Sequence, residues 1–444
     1  MKRIAQVLAL TTLLLPAAAS AAPAEDTAYA FVAELTSEVG QRLAGSEAEA
    51  RARVWAVKKL KALGFQNVAA EPFTMRGYVR GTDKARLTSP VPQMLAVTAL
   101  GHSGSTSDLG IEGEVVYFPT LAALKATPDG SLSGKIAFVD HAMRPAQDGL
   151  GYGPYGQVRR EGPAVASRKG AMGIVIRSIG TDSHRNPHTG GTTFPAGTMP
   201  IPAGAVSNPD ADMIARLVRA GKTLRLSLTL TGKSADNLPS GNVIGDLPGR
   251  DPLLPKILLA CHLDSWDLGT GAIDDGAGCA IITAAALKAQ SGGKPLRTIR
   301  VLLAGSEEIS GGGGDTYVKM HGDEPHALAM ESDFGADRVW RVLSKFAPAN
   351  AALGERIVAA LGPLGIPLGK GDPEGGADIE AIIAKQKLAM ISLSQDGTHY
   401  FDLHHTPDDT LDKIDPAMLT QSVEAYAAVL GVLANEAGVI APAP

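Results

Sequence analysis

Apolar positions along the chain change rhythm as it proceeds. Val54, Val57, Leu60 and Leu63 recur at three-residue steps, the spacing that lines up one face of a helix. Ser46-Glu47-Ala48-Glu49 ahead of them reads as a capping box, and Gly64 behind them as a stop. An amphipathic packing helix is predicted between the two. From about Gly110 the apolar runs shorten to Val115–Phe118, Lys135–Val139 and Gly173–Ile176, separated by segments rich in Gly, Pro and Asp. Short runs between such breakers predict strands. They suggest a β-rich module of about 120 residues inserted into a larger domain.

From Asn242 the pattern becomes strand then helix, repeatedly. Ile257–Ala260 precedes a helical stretch Ala277–Ala289, and Ile299–Leu303 precedes a helix entered through glycines 311–314. Apolar runs without alternation, spaced by helices, belong to a sheet covered on both faces, so an α/β sandwich is expected. In open α/β sheets ligands collect beyond the carboxyl ends of the strands. His262 follows one such run, Glu307 and Glu308 the next, and Asp333 the run Ala327–Met330, so these groups should converge on one rim.

Composition narrows the class. A length of 444 residues suits two or three folded units, and a formal net charge of -5 without a basic stripe argues against nucleic acid as a partner. Lys2 and Arg3 precede the apolar stretch Ile4–Leu15, and small residues with an Ala-x-Ala site at Ala19 and Ala21 follow. That is the pattern of a signal peptide over residues 1–21, which predicts a secreted or periplasmic protein. The apolar stretch is shorter than the roughly 20 residues that span a bilayer, so no membrane span is expected. Cys261 and Cys279 flank the acidic region. Two small buried residues are expected there in preference to a bridge. The absence of CxxC spacing excludes a structural zinc finger.

His262-Leu263-Asp264, Asp274-Asp275 and Glu307-Glu308 each stand close to an apolar run. Like charges in such places are costly unless a cation sits among them. Singly, each has an ordinary explanation. Asp274-Asp275 can cap the helix that starts at Ala277, Glu307-Glu308 can be a solvated loop pair, and His404-His405 a polar turn before Pro407. As a set, two imidazoles and three or four carboxylates can close around two divalent ions.

His262-Leu263-Asp264-Ser265-Trp266-Asp267, Asp274-Asp275-Gly276, Glu307-Glu308, Glu331-Ser332-Asp333 and His405-Thr406-Pro407-Asp408-Asp409-Thr410 occur in that order. The chain thereby resembles the M28 co-catalytic zinc peptidases, most closely the carboxypeptidase Q subgroup. Arg42-Leu43-Ala44-Gly45-Ser46 extends the likeness toward the start. Lys169-Gly170-Ala171, Ile176-Arg177-Ser178 and Pro187-His188-Thr189-Gly190 make the inserted module similar to a protease-associated domain. The resemblance implies the zinc exopeptidase fold, an α/β three-layer sandwich with a mixed central sheet. The peptidase domain would take residues 22–108 and 236–440, and the protease-associated insert 109–235. It also implies two zinc ions: His262 and Asp333 on one, Glu308 and His405 on the other, Asp274 bridging them. Glu307 would be the general base for a metal-activated water, and Asp264 would accept a hydrogen bond from His262 and fix its tautomer.

The activity so implied is exported hydrolysis of dipeptides or short peptides. A general aminopeptidase on longer peptides and a glutaminyl-cyclase-like aminoacyltransferase are the alternatives, and a homodimer is implied by the subgroup alone. A dipeptidase must also hold its product's carboxylate. The sequence offers His184, Arg185 and His188 in the insert for that purpose, and the loop Gly375–Ile379 is similar to a loop near the pocket in the subgroup.

Overall fold

The computed structural model describes residues 24–443, so the 1–21 leader lies outside the described residues. Helix Glu47–Ala62 starts where the capping box placed it, with the Ser46 hydroxyl accepting from the Glu49 N–H at 3.1 Å. Its inward stripe is nevertheless Ala52, Ala56 and Leu60, while Val54 is 57% exposed. Small side chains let the helix lie close on the strand Lys233–Leu247 that it covers. A valine stripe would hold it off.

Seven strands form the larger sheet, in the order Gln66–Val79, Lys233–Leu247, Ile299–Ala304, Lys256–His262, His326–Glu331, Ala389–Gln395, Val339–Lys345. The four from Ile299–Ala304 to Ala389–Gln395 run parallel, and the outer pairings are antiparallel, so the sheet is mixed as expected. The central strand shows the two-sided burial directly. Ile257, Leu259 and Cys261 join one core with the helices Ala24–Glu38, Ala277–Ala289 and Pro416–Leu433. Leu258 and Ala260 join another with Tyr317 and Ile382, from the helices Gly312–His321 and Glu380–Gln386. Each fully buried Leu or Ile in these layers contributes about 1.5–3 kcal/mol. The core thus clamps the strands from both sides and leaves their carboxyl ends to carry polar groups.

The two cysteines correct an expectation. Cys261 and Cys279 form a disulfide rather than standing as separate buried thiols. The reason lies in the pleat: residue 261 points to the same face as Ile257 and Leu259, and the helix that covers that face begins at Ala277. Residue 279 therefore comes down onto residue 261, with the Cα atoms 5.1 Å apart.

A second sheet has eight strands in the order Gln93–Leu95, Asp83–Ser89, Arg225–Leu230, Ile111–Phe118, Lys135–Val139, Gly173–Arg177, Ala203–Val206, Val97–Ala99. It draws on residues 83–99 as well as on the stretch after residue 109. Helix Tyr152–Arg168 packs on this sheet and brings its own residues toward the first one's rim. Among the described residues no helix is long and apolar enough to cross a membrane.

Candidate metal centre and active site

His262 is the last residue of strand Lys256–His262, and Asp333 stands two residues beyond strand His326–Glu331. Glu307 and Glu308 open a short helix after strand Ile299–Ala304, entered through Ser306 in the left-handed region (φ 69°). His405 also lies in that region (φ 62°), just past helix Tyr400–Leu403. A non-glycine residue held there costs energy, which surrounding contacts must offset. Here they do: the Thr189 N–H donates to the His405 carbonyl at 3.0 Å, and His405 Nδ1 lies 3.3 Å from the Thr189 carbonyl.

These strand ends bring all five expected ligands together. His262 Nε2 lies 3.1 Å from Asp274 Oδ1 and 3.4 Å from Asp333 Oδ1. His405 Nε2 lies 2.9 Å from Glu308 Oε2 and 3.3 Å from Asp274 Oδ2. Asp274 thus turns one oxygen to each imidazole. Asp275 does different work, accepting from the His262 backbone N–H at 3.2 Å and the Gly278 N–H at 3.0 Å. Asp409 accepts from the N–H groups of Ile273 (2.6 Å) and Asp274 (3.3 Å) and so fixes the turn that carries Asp274.

Two buried acceptors in this cluster, Asp274 Oδ2 and Glu308 Oε1, have no hydrogen-bond partner. A buried carboxylate oxygen left so is expensive. Burial pushes the Glu307 carboxyl well above its usual range, with Asp333 and Glu308 adding to the rise. Burial likewise raises Asp275, helped by Asp333 and Asp274. For the imidazoles burial acts downward, yet Asp333 and Asp274 around His262, and Glu308 and Asp274 around His405, hold both well above the ordinary histidine value. An excess of acid surrounding shared, unpartnered oxygens is the chemistry of a divalent-cation site, and the donor set of nitrogen and oxygen fits one.

Asp264 is present but acts otherwise than expected. His262 Nδ1 lies 3.0 Å from the Asp264 carbonyl oxygen and 3.8 Å from its carboxylate. The carboxylate instead accepts from the backbone N–H groups of Glu307 (3.0 Å) and Glu308 (3.3 Å). Asp264 therefore orients the imidazole through its main chain and the glutamate pair through its side chain. The basic cluster proposed in the insert is not at the cavity that holds the ligands. Arg185 pairs with Asp210 at 3.0 Å, while His188 is buried between Asp182 Oδ1 and the His404 carbonyl, both at 2.7 Å. His188 clamps the loop before His405 and is a support. The loop at Gly375 and Gly376 lies against Glu331, whose carboxylate accepts from the Asp378 N–H at 2.9 Å, and helps line a separate cavity that reaches Asp333.

His404 stacks on His405 with ring centroids 3.5 Å apart, and Tyr152, Tyr400 and Phe401 surround it. Burial and its neighbour His405 keep it well below the usual histidine value, hence neutral, with Nε2 3.6 Å from Asp274 Oδ2. Sequence reasoning missed the role of Arg42. This buried side chain donates to the carbonyls of Leu263, Thr270 and Gly271 and ties the segment after His262 to the turn before Asp274. Nothing in RLAGS spacing signals that task. Arg159 and Arg160 were missed as well; both line the cavity of about 360 Å³ that also exposes Asp274, Glu307, Glu308, Asp333 and His405.

Known proteins share this arrangement of chain. The family described as Peptidase family M28 matches residues 242–430. Carboxypeptidase Q from Bos taurus is 32% identical over 420 residues, covering 93% of this chain and 86% of that protein. The crystal structure of a peptidase M28 precursor from Shewanella amazonensis SB2B superposes with a TM-score of 0.92 at 44% identity, over 95% of this chain and 96% of that one. A zinc aminopeptidase from Bacillus subtilis shares the fold, with a TM-score of 0.64 at 18% identity over 94% of this chain and 97% of that one. Fold and relatives together are those of a metallopeptidase, a hydrolase of peptide bonds. The chain belongs to peptidase family M28.

Proposed function

We propose that the chain is an exported binuclear zinc exopeptidase acting on dipeptides or short peptides with a free amino end. One observation carries the reading: the two oxygens of Asp274 face different imidazoles, with Asp333 completing one side and Glu308 the other. His262 and Asp333 would hold one zinc, His405 and Glu308 the second, and Asp274 both. Bound zinc supplies Lewis-acid polarisation of the scissile carbonyl and lowers the pKa of a coordinated water. Glu307 has no ligand partner of its own in this set, and its N–H is fixed on Asp264. Its carboxylate takes the proton of the attacking water and passes it to the departing amine. The leader expected over residues 1–21 and the oxidised Cys261–Cys279 pair are consistent with export. The second sheet would be the protease-associated insert, and a homodimer is the assembly the subgroup suggests.

The test joins stoichiometry to substrate choice. Purified protein should carry about two zinc per chain by elemental analysis, and should hydrolyse free dipeptides while leaving N-acetylated versions intact. Hydrolysis of the N-blocked series alone would sink the free-amine reading. Fully active protein with no bound metal would sink the mechanism.

A further inference from the structure

The second sheet has a strand-end cavity of its own. Strands Lys135–Val139, Gly173–Arg177 and Ala203–Val206 run parallel. Beyond the carboxyl ends of the first two, against the helix Asn208–Arg219 that follows the third, lies a cavity of about 470 Å³. It shares no lining residue with the cavity at the metal centre. Its volume falls in the range of small-molecule sites, about 300–1,000 Å³, and its position is one where open α/β sheets collect ligands.

Most of its polar lining is already matched. Arg177, 6% exposed, donates to Asp140 Oδ1 and Asp212 Oδ1, each at 2.6 Å, and to the Asn208 carbonyl at 3.2 Å. The Asn208 side chain, in a residue 7% exposed, gives Nδ2 to the carbonyls of Gly180 and Asp182, both at 3.2 Å, and to Asp182 Oδ1 at 3.1 Å. Three acceptors around the nitrogen fix which way the amide faces. Its oxygen is the atom left buried without a partner. The wall is held from behind, Asp182 by His188 Nε2 at 2.7 Å and Thr181 by its bond to Asp402 at 2.6 Å, so that oxygen cannot turn to find one. A second group is unmatched. Asp212 and Arg216 stand four residues apart on the helix, a spacing at which acid and base ordinarily pair. Asp212 is taken by Arg177 instead, and among the described residues no acid pairs with the exposed Arg216.

An unmatched buried acceptor calls for an N–H donor, and an unmatched guanidinium for a carboxylate. The charged lining balances, Arg177 and Arg216 against Asp182 and Asp212, so a ligand of net charge would upset it. We propose that this cavity is a second binding site, for a small zwitterion bearing an α-ammonium group and a carboxylate, with the ammonium on Asn208 Oδ1 and Asp212 and the carboxylate on Arg216. Free amino acids and dipeptides share that chemistry. They are the product and the substrate of the hydrolysis proposed above; the site does not rest on that reading, and only the natural source of its ligand does.

Hydrogen exchange locates the ligand without requiring turnover. Zinc-loaded protein carrying Glu307→Gln is titrated with L-alanine, Ala-Ala, alanine amide and N-acetylalanine, and exchange is followed over residues 177–183 and 208–216. At about ten times its Kd a zwitterion should slow exchange there about 10-fold. The amide, which lacks the carboxylate, and the acetylated acid, which lacks the ammonium, should leave it unchanged. Slowing by L-alanine alone assigns the site to the product, by Ala-Ala alone to the substrate, and by both to the head groups they share. Adding Arg216→Gln should abolish the slowing, with Tm and zinc content unchanged. Unaltered exchange with both zwitterions, equal slowing by either blocked ligand, or slowing that survives Arg216→Gln would overturn the assignment. Hydrolysis by the wild type is measured separately, so a protein that cleaves no peptide would end the exopeptidase reading and leave the exchange result standing.

Discussion

Two clusters of buried charge sit at opposite ends of the same parallel strands, and only one is complete. At the amino ends, Arg300 pairs with Asp246 at 2.7 Å and Glu324 at 3.0 Å, Lys256 reaches Glu324 at 2.5 Å, and His321 lies 2.6 Å from both Glu71 and Glu324. Acids and bases close on one another there. At the carboxyl ends Asp264, Asp274, Asp275, Glu307, Glu308 and Asp333 meet His262, His404 and His405, while the buried Arg42 spends its donors on carbonyls. Asp274 Oδ2 and Glu308 Oε1 are left without hydrogen-bond partners at this end, where no arginine or lysine pairs with the acids, whereas at the other end Glu71 Oε2 is the one carboxylate oxygen left over among the described residues. A closed network is part of the framework, whereas an open one at a strand's carboxyl end marks the working site.

Removing metal should separate the ends most sharply. Treatment with a chelator such as 1,10-phenanthroline is expected to abolish hydrolysis and lower Tm, and added zinc to restore both. Stabilisation by a ligand at about a thousand times its Kd amounts to about 4 kcal/mol. A chelator-insensitive Tm would mean that the open cluster is not a metal site. Next in size is Glu307→Gln, which should cut kcat by about 10²–10⁴-fold while zinc content stays at the wild-type level. Loss of zinc in that variant would move Glu307 from base to ligand.

At the closed end the expected loss is in stability alone. Arg300→Met strands Asp246 among buried neighbours and should cost about 3–5 kcal/mol in urea denaturation, the usual penalty for breaking a buried pair. Zinc binding, read by calorimetry on the folded variant, should not change. Weakened zinc affinity would show that the two ends are coupled through the strands. The covalent tie between strand and helix is worth slightly less: Cys279→Ser opens a bridge across 18 positions and should cost about 3 kcal/mol.

The open end was far more legible in the sequence than the closed one. Its residues follow apolar runs immediately, so strand periodicity alone forecast that His262, Glu307, Glu308 and Asp333 would meet, and the structure brings these side chains together with Asp274 and His405. Supporting groups were harder to foresee, because their partners are main-chain atoms that no motif records. Asp264 was expected to hold an imidazole and holds two backbone N–H groups instead. Arg42 reaches carbonyls more than 220 residues away. Arg159 and Arg160 belong to a helix packed on the second sheet, and only that packing on the rim shows that they face the site. Cys261 and Cys279 required knowing which face of the sheet the next helix covers. The register of a strand is readable from alternation, but the partner of a side chain that leaves its own element is not.

The smallest predicted effect concerns His326, which joins the closed cluster without an acid of its own. Burial, helped by Arg300 and opposed by Glu324, pulls its pKa from 6.5 down to about 4. Its Nε2 lies 2.7 Å from the Tyr317 hydroxyl. A histidine depressed in this way is neutral in the fold and charges readily once unfolded. Its contribution to stability is therefore whole above pH 6.5 and drains away as pH falls from about 6.5 through 4. The loss over that interval is about 2–3 kcal/mol. The open cluster also takes up protons on acidification, so the absolute slope mixes both ends. Urea denaturation of wild type and His326→Gln in chelator isolates the difference, since sites far apart add nearly independently. The variant should show the shallower slope between pH 7 and 4, and parallel curves would mean that His326 titrates alike in the folded and unfolded chain.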